Sequence, residues 1–373
     1  MFSKALFSII LTFILLTGIA NAQEEKNIFT TTIKYHYGIV IPHHESITYL
    51  REETIGAVEF NFGLIPSSKH KWSQLYNQPE VGLAFYQGNL GNDRVLGNVT
   101  SLFPYINFHI IRNKKLNLVH HFGFGLAVVD KKFSPTENYS NLAISSSLNA
   151  FISLSFNLEL PLNNQWQIIS GLGINHLSNG SFKKPNKGLN LLTANFGIKY
   201  AFKERSKNLQ LNKICNFKDL DNEFSIAFNQ GIKQIKESEQ QTYYMSSIST
   251  NYGWGINAKQ RLGLGIDLFY DKSSNRGVWD YHPKTDFEDR FRQGIFISHD
   301  LFIENLAIVT QIGVYTYYKT EPEKIVYSRL GLKYNIGQHF FANVNLKAHL
   351  GKADYVEWGF GYRIQKKKKH SVN

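Results

Sequence analysis

Along residues 353–364 the chain alternates without a break. Val356, Trp358, Phe360, Tyr362 and Ile364 fall on one side, while Glu357, Gly359, Gly361 and Arg363 fall on the other. Successive side chains of a strand point to opposite faces, so this segment carries an apolar, aromatic face and a small or polar one. Segments of the same kind fill nearly everything after residue 27: 28–41, 55–66, 80–88, 99–112, 115–128, 144–160, 164–178 and 190–203, then 223–235, 242–256, 259–271, 293–302, 305–317, 324–335, 339–350 and 353–364. A β-sandwich shows the same alternation, but it turns its apolar face inward and needs no aromatic girdle. Most of these segments are long enough for a membrane-crossing strand of about 9–11 residues. The composition agrees: Phe 28, Tyr 20 and Gly 28 stand against Met 2 and Cys 1. The fold class expected is an all-β, antiparallel transmembrane β-barrel of about 16 strands.

The amino terminus points to export. Met1 to Lys4 form a short basic start, and the run Ala5–Ile19 is apolar but for Ser8, Thr12, Thr17 and Gly18. Ala20-Asn21-Ala22 puts small residues where a signal peptidase reads, which predicts a signal peptide over 1–22 and cleavage before Gln23. The run is short for a spanning helix of about 20 residues. Removing 22 of 373 residues leaves 351. Cys215 is the single cysteine, so neither an intrachain disulfide nor a cysteine metal framework is expected. A net charge of +12 would suit nucleic acid in a cytoplasmic protein. In an exported barrel it suits a surface meeting anionic lipid headgroups, and part of it is the tail Lys366–Lys369.

Connection lengths give the topology. With the amino terminus in the periplasm, odd strands run outward, and connections after even strands should be short. Asn113-Lys114, Pro161 to Asn163, Glu304 and Gly337-Gln338 fit as short turns, while 42–54, 129–143, 179–189 and 272–292 fit as long outer loops. Residues 67–79 and 204–222 are long on the wrong side. The second of these is charged and non-alternating, and it divides the chain into a first half, 23–203, a periplasmic linker, 204–222, and a second half with the basic tail, 223–373. Periodicity leaves open whether the halves close as one sixteen-stranded barrel or as two of eight; the single barrel is slightly preferred.

The chemistry concentrates on the seventh strand and the loop after it. Trp166, Ile168, Leu172 and Ile174 share the lipid-facing side, and continuing the alternation puts His176 and Ser178 there too. Gln167, Gly171, Gly173 and Asn175 take the lumen side. Polar groups on a lipid-facing surface are costly unless they are used. Same-face neighbours two residues apart lie about 6.5–7 Å apart at the backbone, a gap that an imidazole and a hydroxyl can close. On the eighth strand Leu192, Ala194, Phe196, Ile198, Tyr200 and Phe202 face lipid, which places Asn190 on the same outer face beside His176. A nucleophile, a base and an orienting group could therefore meet there.

The pattern His176-x-Ser178-Asn179-Gly180, then Pro185-Asn186-x-Gly188 and the polar Asn190, resembles the outer-membrane lipid A 3-O-deacylases of the PagL type, whose relatives are often called acyloxyacyl hydrolase-like. The likeness is close over about 160–203. It implies a barrel with a Ser/His/acid triad on its membrane-facing surface and an esterase that removes an ester-linked acyl chain from lipid A in the outer leaflet. Carried over by position, Ser178 is the nucleophile, His176 its base, and Asn190 stands where the family usually has Glu. Asn179, Gly180 and Asn186 are expected at the oxyanion or in positioning. An amide can accept from a His Nδ1–H but cannot offset an imidazolium charge. Lys183, Lys184 and Lys187 are candidate contacts for the lipid A phosphates.

No cofactor and no metal is expected for this chemistry, and no nucleic acid. A homo-oligomer is left open. The paired histidines His43-His44 and His120-His121 point to opposite faces if they lie on strands, so they are expected as loop or lumen residues rather than chelating pairs. His349 shares its side with Asn343, Asn345 and Lys347 and is expected in the lumen. The competing function is a non-enzymatic channel or structural barrel, since sixteen strands would enclose water.

Overall fold

The computed structural model describes residues 27–366 apart from 68, 114, 205–216, 239–240, 275–285, 323 and 350. The expected signal segment, Cys215, most of the linker and all but the first lysine of the tail lie outside the described residues. Sixteen strands are described: β1 Ile28–Val40, β2 Ile55–Ile65, β3 Glu80–Asn89, β4 Asn98–Arg112, β5 Asn117–Val129, β6 Leu148–Pro161, β7 Trp166–Ser178, β8 Leu189–Ala201, β9 Asn222–Gln234, β10 Thr242–Gly255, β11 Gln260–Asp271, β12 Phe291–Ile303, β13 Leu306–Tyr318, β14 Val326–Ile336, β15 Phe340–His349 and β16 Lys352–Lys366. No helix among the described residues is long and apolar enough to cross a membrane.

The strands form two closed antiparallel barrels, β1–β8 and β9–β16. β8 closes on β1 with Ala201 opposite Thr30 and Leu191 opposite Val40. β16 closes on β9 with Glu357 opposite Gly231. The single sixteen-stranded barrel is thereby corrected. Alternation fixes the face of every residue but not the strand that each edge meets. What decides is the size of the inward side chains, because an eight-stranded barrel is just wide enough for side chains to fill.

They do fill it. In the first barrel Glu59 pairs with Lys34 at 2.5 Å and with His36 at 3.0 Å. Lys199 bridges Glu80 and Glu159, and Tyr105 donates its O–H to Glu80 at 2.7 Å. Towards the outer end an apolar cluster takes over, with Val40, Ile47, Leu50, Ile55, Phe103 and Phe151 among its members. In the second barrel Arg329 reaches Asp267 at 2.6 Å and Glu357 at 2.7 Å, while Glu223 holds Arg261 and Arg363, each at 3.0 Å. Cavities of about 50 Å³ in the second barrel and 10 Å³ in the first hold only a few waters. Neither interior is an aqueous channel, so the channel reading loses its physical basis.

The outer faces are apolar as the alternation requires. Trp358, Phe360, Tyr362 and Ile364 are exposed, and Glu357 and Arg363 are buried in the lumen. His349 is buried there too, beside Asp354 at 3.2 Å. His121 faces the first lumen and donates from Nδ1 to Asn107 Oδ1 at 2.8 Å, whereas His120 faces outward against Phe156.

The two barrels stand side by side with the same orientation. At the outer end the Gln234 N–H donates to the Ser181 carbonyl at 3.2 Å. At the inner end the Tyr76 O–H donates to the Phe302 carbonyl at 2.5 Å, and the Lys259 ammonium sits 4.7 Å from the centre of the Tyr76 ring. Tyr76 follows a short helix, Lys71–Leu75, in the inner connection that was too long for a simple turn. The extra length carries this contact.

Candidate active site

Antiparallel pairing puts His176 of β7 directly opposite Asn190 of β8. Directly paired residues have Cβ atoms about 4.5–5.5 Å apart, so their side chains meet on whichever face they share. They share the outer one, on which Leu172 and Ile174 below them are exposed. His176 Nδ1 lies 2.7 Å from Asn190 Oδ1, and its Nε2 lies 3.0 Å from Ser178 Oγ. With Nδ1–H donated to the amide oxygen, Nε2 is left to accept the Ser178 O–H. The three residues form one hydrogen-bonded line. Both ring nitrogens are thereby occupied, so no carboxylate takes the place of Asn190 at the imidazole.

Asn190 has a further partner. Its Nδ2 donates to His43 Nδ1 at 3.0 Å, and the His43 and His176 rings lie 6.5 Å apart. This contact follows from barrel closure, since β1 pairs with β8 and the Ile41 N–H donates to the Asn190 carbonyl at 2.8 Å. His43 belongs to the site, although its sequence position gave no reason to include it. The signal that finds it is topological: in an eight-stranded barrel the residues leaving β1 must pass the start of β8. The pair His43-His44 is a loop pair, as expected. His44 lies within 3.3 Å of Lys187 Nζ and 3.2 Å of Ser46 Oγ.

The loop between β7 and β8 is tied down by its asparagines. Asn179 Nδ2 donates to Ser145 Oγ, Ser146 Oγ and the Lys183 carbonyl, each at 3.0 Å. The Asn179 N–H donates to Asn186 Oδ1 at 3.1 Å. Asn179 is thus fully engaged in holding the loop, and β6 starts later than the alternation suggested because residues 145–146 serve as its anchor. Of the groups expected at the oxyanion, the Gly180 N–H and Asn186 Nδ2 are the ones these bonds leave over. Gly188, at φ +76°, lies where a Cβ would come within 3.0 Å of His176 Cε1. Only glycine combines that backbone with that approach.

The three lysines separate. Lys183 is exposed. Lys187 turns to His44, and Lys184 Nζ turns inward to Ser181 Oγ at 3.2 Å. Burial, and then the neighbouring Lys352 ammonium, lower the pKa of Lys184. Ser178 and Asn179 are only 9% exposed. No group of three or more His, Cys, Asp or Glu side chains suited to a metal occurs among the described residues.

Two family descriptions match the chain. Residues 58–199 match lipid A 3-O-deacylase (PagL), and residues 222–367 match the acyloxyacyl hydrolase C-terminal domain. No curated protein matches the chain. Among solved structures it is similar to Neisserial surface protein A at 9% identity, over 47% of this chain and 97% of that one, with a TM-score of 0.32. It is also similar to the P. putida toluene transporter TodX at 8% identity, over 93% and 91% of the two chains, with a TM-score of 0.19. Omp33 of Acinetobacter baumannii gives 7% identity, 92% and 100% coverage and a TM-score of 0.17.

Proposed function

The chain belongs to the PagL family of outer-membrane lipid A deacylases, and on that premise we propose that it hydrolyses the acyl ester at position 3 of lipid A with Ser178, His176 and Asn190. The observation that carries this reading is the unbroken hydrogen-bonded line from Asn190 through His176 to Ser178 on the outer face.

Ser178 Oγ attacks the ester carbonyl while His176 Nε2 takes its proton. Asn190 holds Nδ1–H and so fixes the tautomer that leaves Nε2 free to accept. The oxyanion is met by the Gly180 N–H and Asn186 Nδ2, donors of a kind worth about 3–4 kcal/mol each in other hydrolases. Collapse returns the proton from His176 to the departing sugar oxygen and leaves an acyl-Ser178. Water, deprotonated by the same imidazole, then frees the fatty acid. Lys183 and Lys187 meet the lipid A phosphates as point charges, while Lys184 serves the loop.

Mass spectrometry of lipid A from cells expressing the wild type or Ser178→Ala tests the reading. Loss of one hydroxyacyl chain with the wild type alone is expected. Unmodified lipid A with both, or the same loss with both, would remove Ser178 from the chemistry.

A further inference from the structure

The nucleophile loop is held from two sides, and only one of them belongs to its own barrel. On that side Asn179 binds Ser145 and Ser146, and the Lys187 and Gly188 N–H groups donate to the Leu142 and Ala143 carbonyls at 3.2 and 3.0 Å. On the other side the loop is bonded to the second barrel. The Gln234 N–H at the outer end of β9 donates to the Ser181 carbonyl at 3.2 Å, and Gln234 Oε1 accepts from the Lys184 N–H at 2.9 Å. Ser181 Oγ donates to the Ala353 carbonyl of β16 at 2.8 Å. Between these bonds the Gly180 backbone presses against side chains of the second barrel. A Cβ on Gly180 would lie 2.4 Å from Val356 Cγ2 and 3.6 Å from Leu346 Cδ1, both outward side chains of the second barrel.

Three features make this more than a contact between neighbours. The bonded residues, Ser181 and Lys184, flank the segment directly after Gly180, which packs against Val356 and is one of the two oxyanion donors of the proposed reaction. Ser181 and Gly180 both hold positive φ, 68° and 62°, a conformation that a free loop leaves readily and that a Cβ-bearing Ser181 takes up at a cost. Gln234 is buried, and its Nε2 is anchored in turn to the Lys236 carbonyl at 2.9 Å, so its amide oxygen is fixed at the point where the Lys184 N–H arrives.

We propose that the second barrel is a working part of the active site, and that Gln234 is a positioning residue that holds the Gly180–Lys184 segment in its reactive geometry. Gln234 touches neither Ser178 nor His176. It acts by fixing the backbone that follows the nucleophile, so the strapped loop meets the oxyanion without rearranging. A second barrel with no pore has a use on this account: its outer face is the template for a loop that the first barrel grips from one side only. The proposal rests on the esterase reading above.

The test uses purified full-length protein in detergent, with Gln234→Leu, Gln234→Glu and Ser178→Ala beside the wild type. The glutamate variant keeps an acceptor for the Lys184 N–H; leucine keeps only the bulk. Initial rates of fatty-acid release from lipid A give kcat and KM, and labelling by a fluorophosphonate reports the reactivity of Ser178. A displacement of about 1 Å at a reacting geometry costs up to about 100-fold in rate. Gln234→Leu is therefore expected to lower kcat and the labelling rate together by about 10- to 100-fold with KM little changed, and Gln234→Glu to recover most of the loss. Should Gln234→Leu fail to fold, Ser181→Ala, which removes the Oγ bonds to the Ala353 carbonyl and to Lys184 Nζ, is expected to lower kcat in the same sense. Wild-type kcat and labelling in a folded Gln234→Leu, with Ser178→Ala inactive, would overturn the positioning role and leave the esterase standing. A Ser178→Ala protein as active as the wild type would remove the esterase reading, and the positioning role with it.

Discussion

Replacing Asn190 by Asp puts a carboxylate where the amide oxygen now accepts from His176 Nδ1 at 2.7 Å. In a serine-protease triad the opposite exchange, Asp to Asn, lowers turnover about 10⁴-fold, chiefly by presenting the wrong tautomer to the nucleophile. That part of the penalty is absent here. His43 Nδ1 accepts from Asn190 Nδ2 at 3.0 Å and so holds the amide with its oxygen towards His176. What the amide lacks is charge. Between an imidazolium and a carboxylate with centres about 4 Å apart, the attraction at an effective dielectric of about 20 is about 4 kcal/mol. Desolvating the carboxylate on a partly covered face removes roughly half of it, leaving about 2 kcal/mol of transition-state stabilisation. Since 1.36 kcal/mol is tenfold, Asn190→Asp is expected to raise kcat about 30-fold. His43 can meet the new carboxylate by donating from Nδ1, so the orienting contact survives. The assay is the initial rate of fatty-acid release from lipid A by the purified full chain, with the gel shift on heating as the check of fold. A folded Asn190→Asp no faster than the wild type would refute the assignment of Asn190 as the third member. A gain near 10⁴ would refute the tautomer argument for His43.

Further outcomes follow from the same geometry. His43→Ala frees the Asn190 amide to turn; with one hydrogen bond worth about 0.5–1.5 kcal/mol, the expected fall in kcat is up to about tenfold, and an unchanged rate would detach His43 from the site. Gly188→Ala at φ +76° costs about 1–2 kcal/mol of local backbone strain and pushes against His176 Cε1, so kcat should fall more than overall stability does. Asp267→Asn removes the charge that Arg329 and Tyr327 both meet at 2.6 Å in the second lumen. Leaving the buried guanidinium short of a partner is expected to cost about 3–5 kcal/mol in a denaturant titration of the full chain, and a shift under 1 kcal/mol would show that Glu357 alone can neutralise Arg329.

How legible each feature was depends on whether the cause is local. The faces of Trp358, Glu357 and Arg363 follow from a period of two, which chain geometry imposes residue by residue. The same rule put His176, Ser178 and Asn190 on one face, and the register of β7 with β8 then brings them together. Closure is not local. Nothing in the alternation of β8 tells whether its free edge meets β1 or β9, so both the two-barrel architecture and the place of His43 beside Asn190 stayed hidden. Asn179 was read for its motif position, but its amide is used up by Ser145 and Ser146, residues that the sequence pattern had placed inside a strand. Gln234 lies more than forty residues beyond the motif and has no chemical signature. It becomes visible only once the barrels are seen side by side.

The packed interiors also decide from which side a substrate can come. Ion pairs and aromatic rings fill both lumens, so no route leads through either barrel to the seventh strand. Ser178 is nearly buried, while Leu172 and Ile174 below His176 stay open on the outer face. On the esterase reading, an acyl chain can reach the hydroxyl only by lying against that open strand, within the membrane, with its headgroup at the level of Lys183 and Lys187. A lipid already in the outer leaflet meets this condition by its own orientation. A water-soluble ester of the same acid does not, because it must first be desolvated against an apolar wall. The rate should therefore depend on the amount of substrate in the bilayer or micelle phase rather than on its total concentration, and surface dilution with a non-substrate detergent at constant total lipid A should lower it in proportion. A rate that ignores dilution would place the productive encounter in water, which the position of His176 on a lipid-facing strand does not permit.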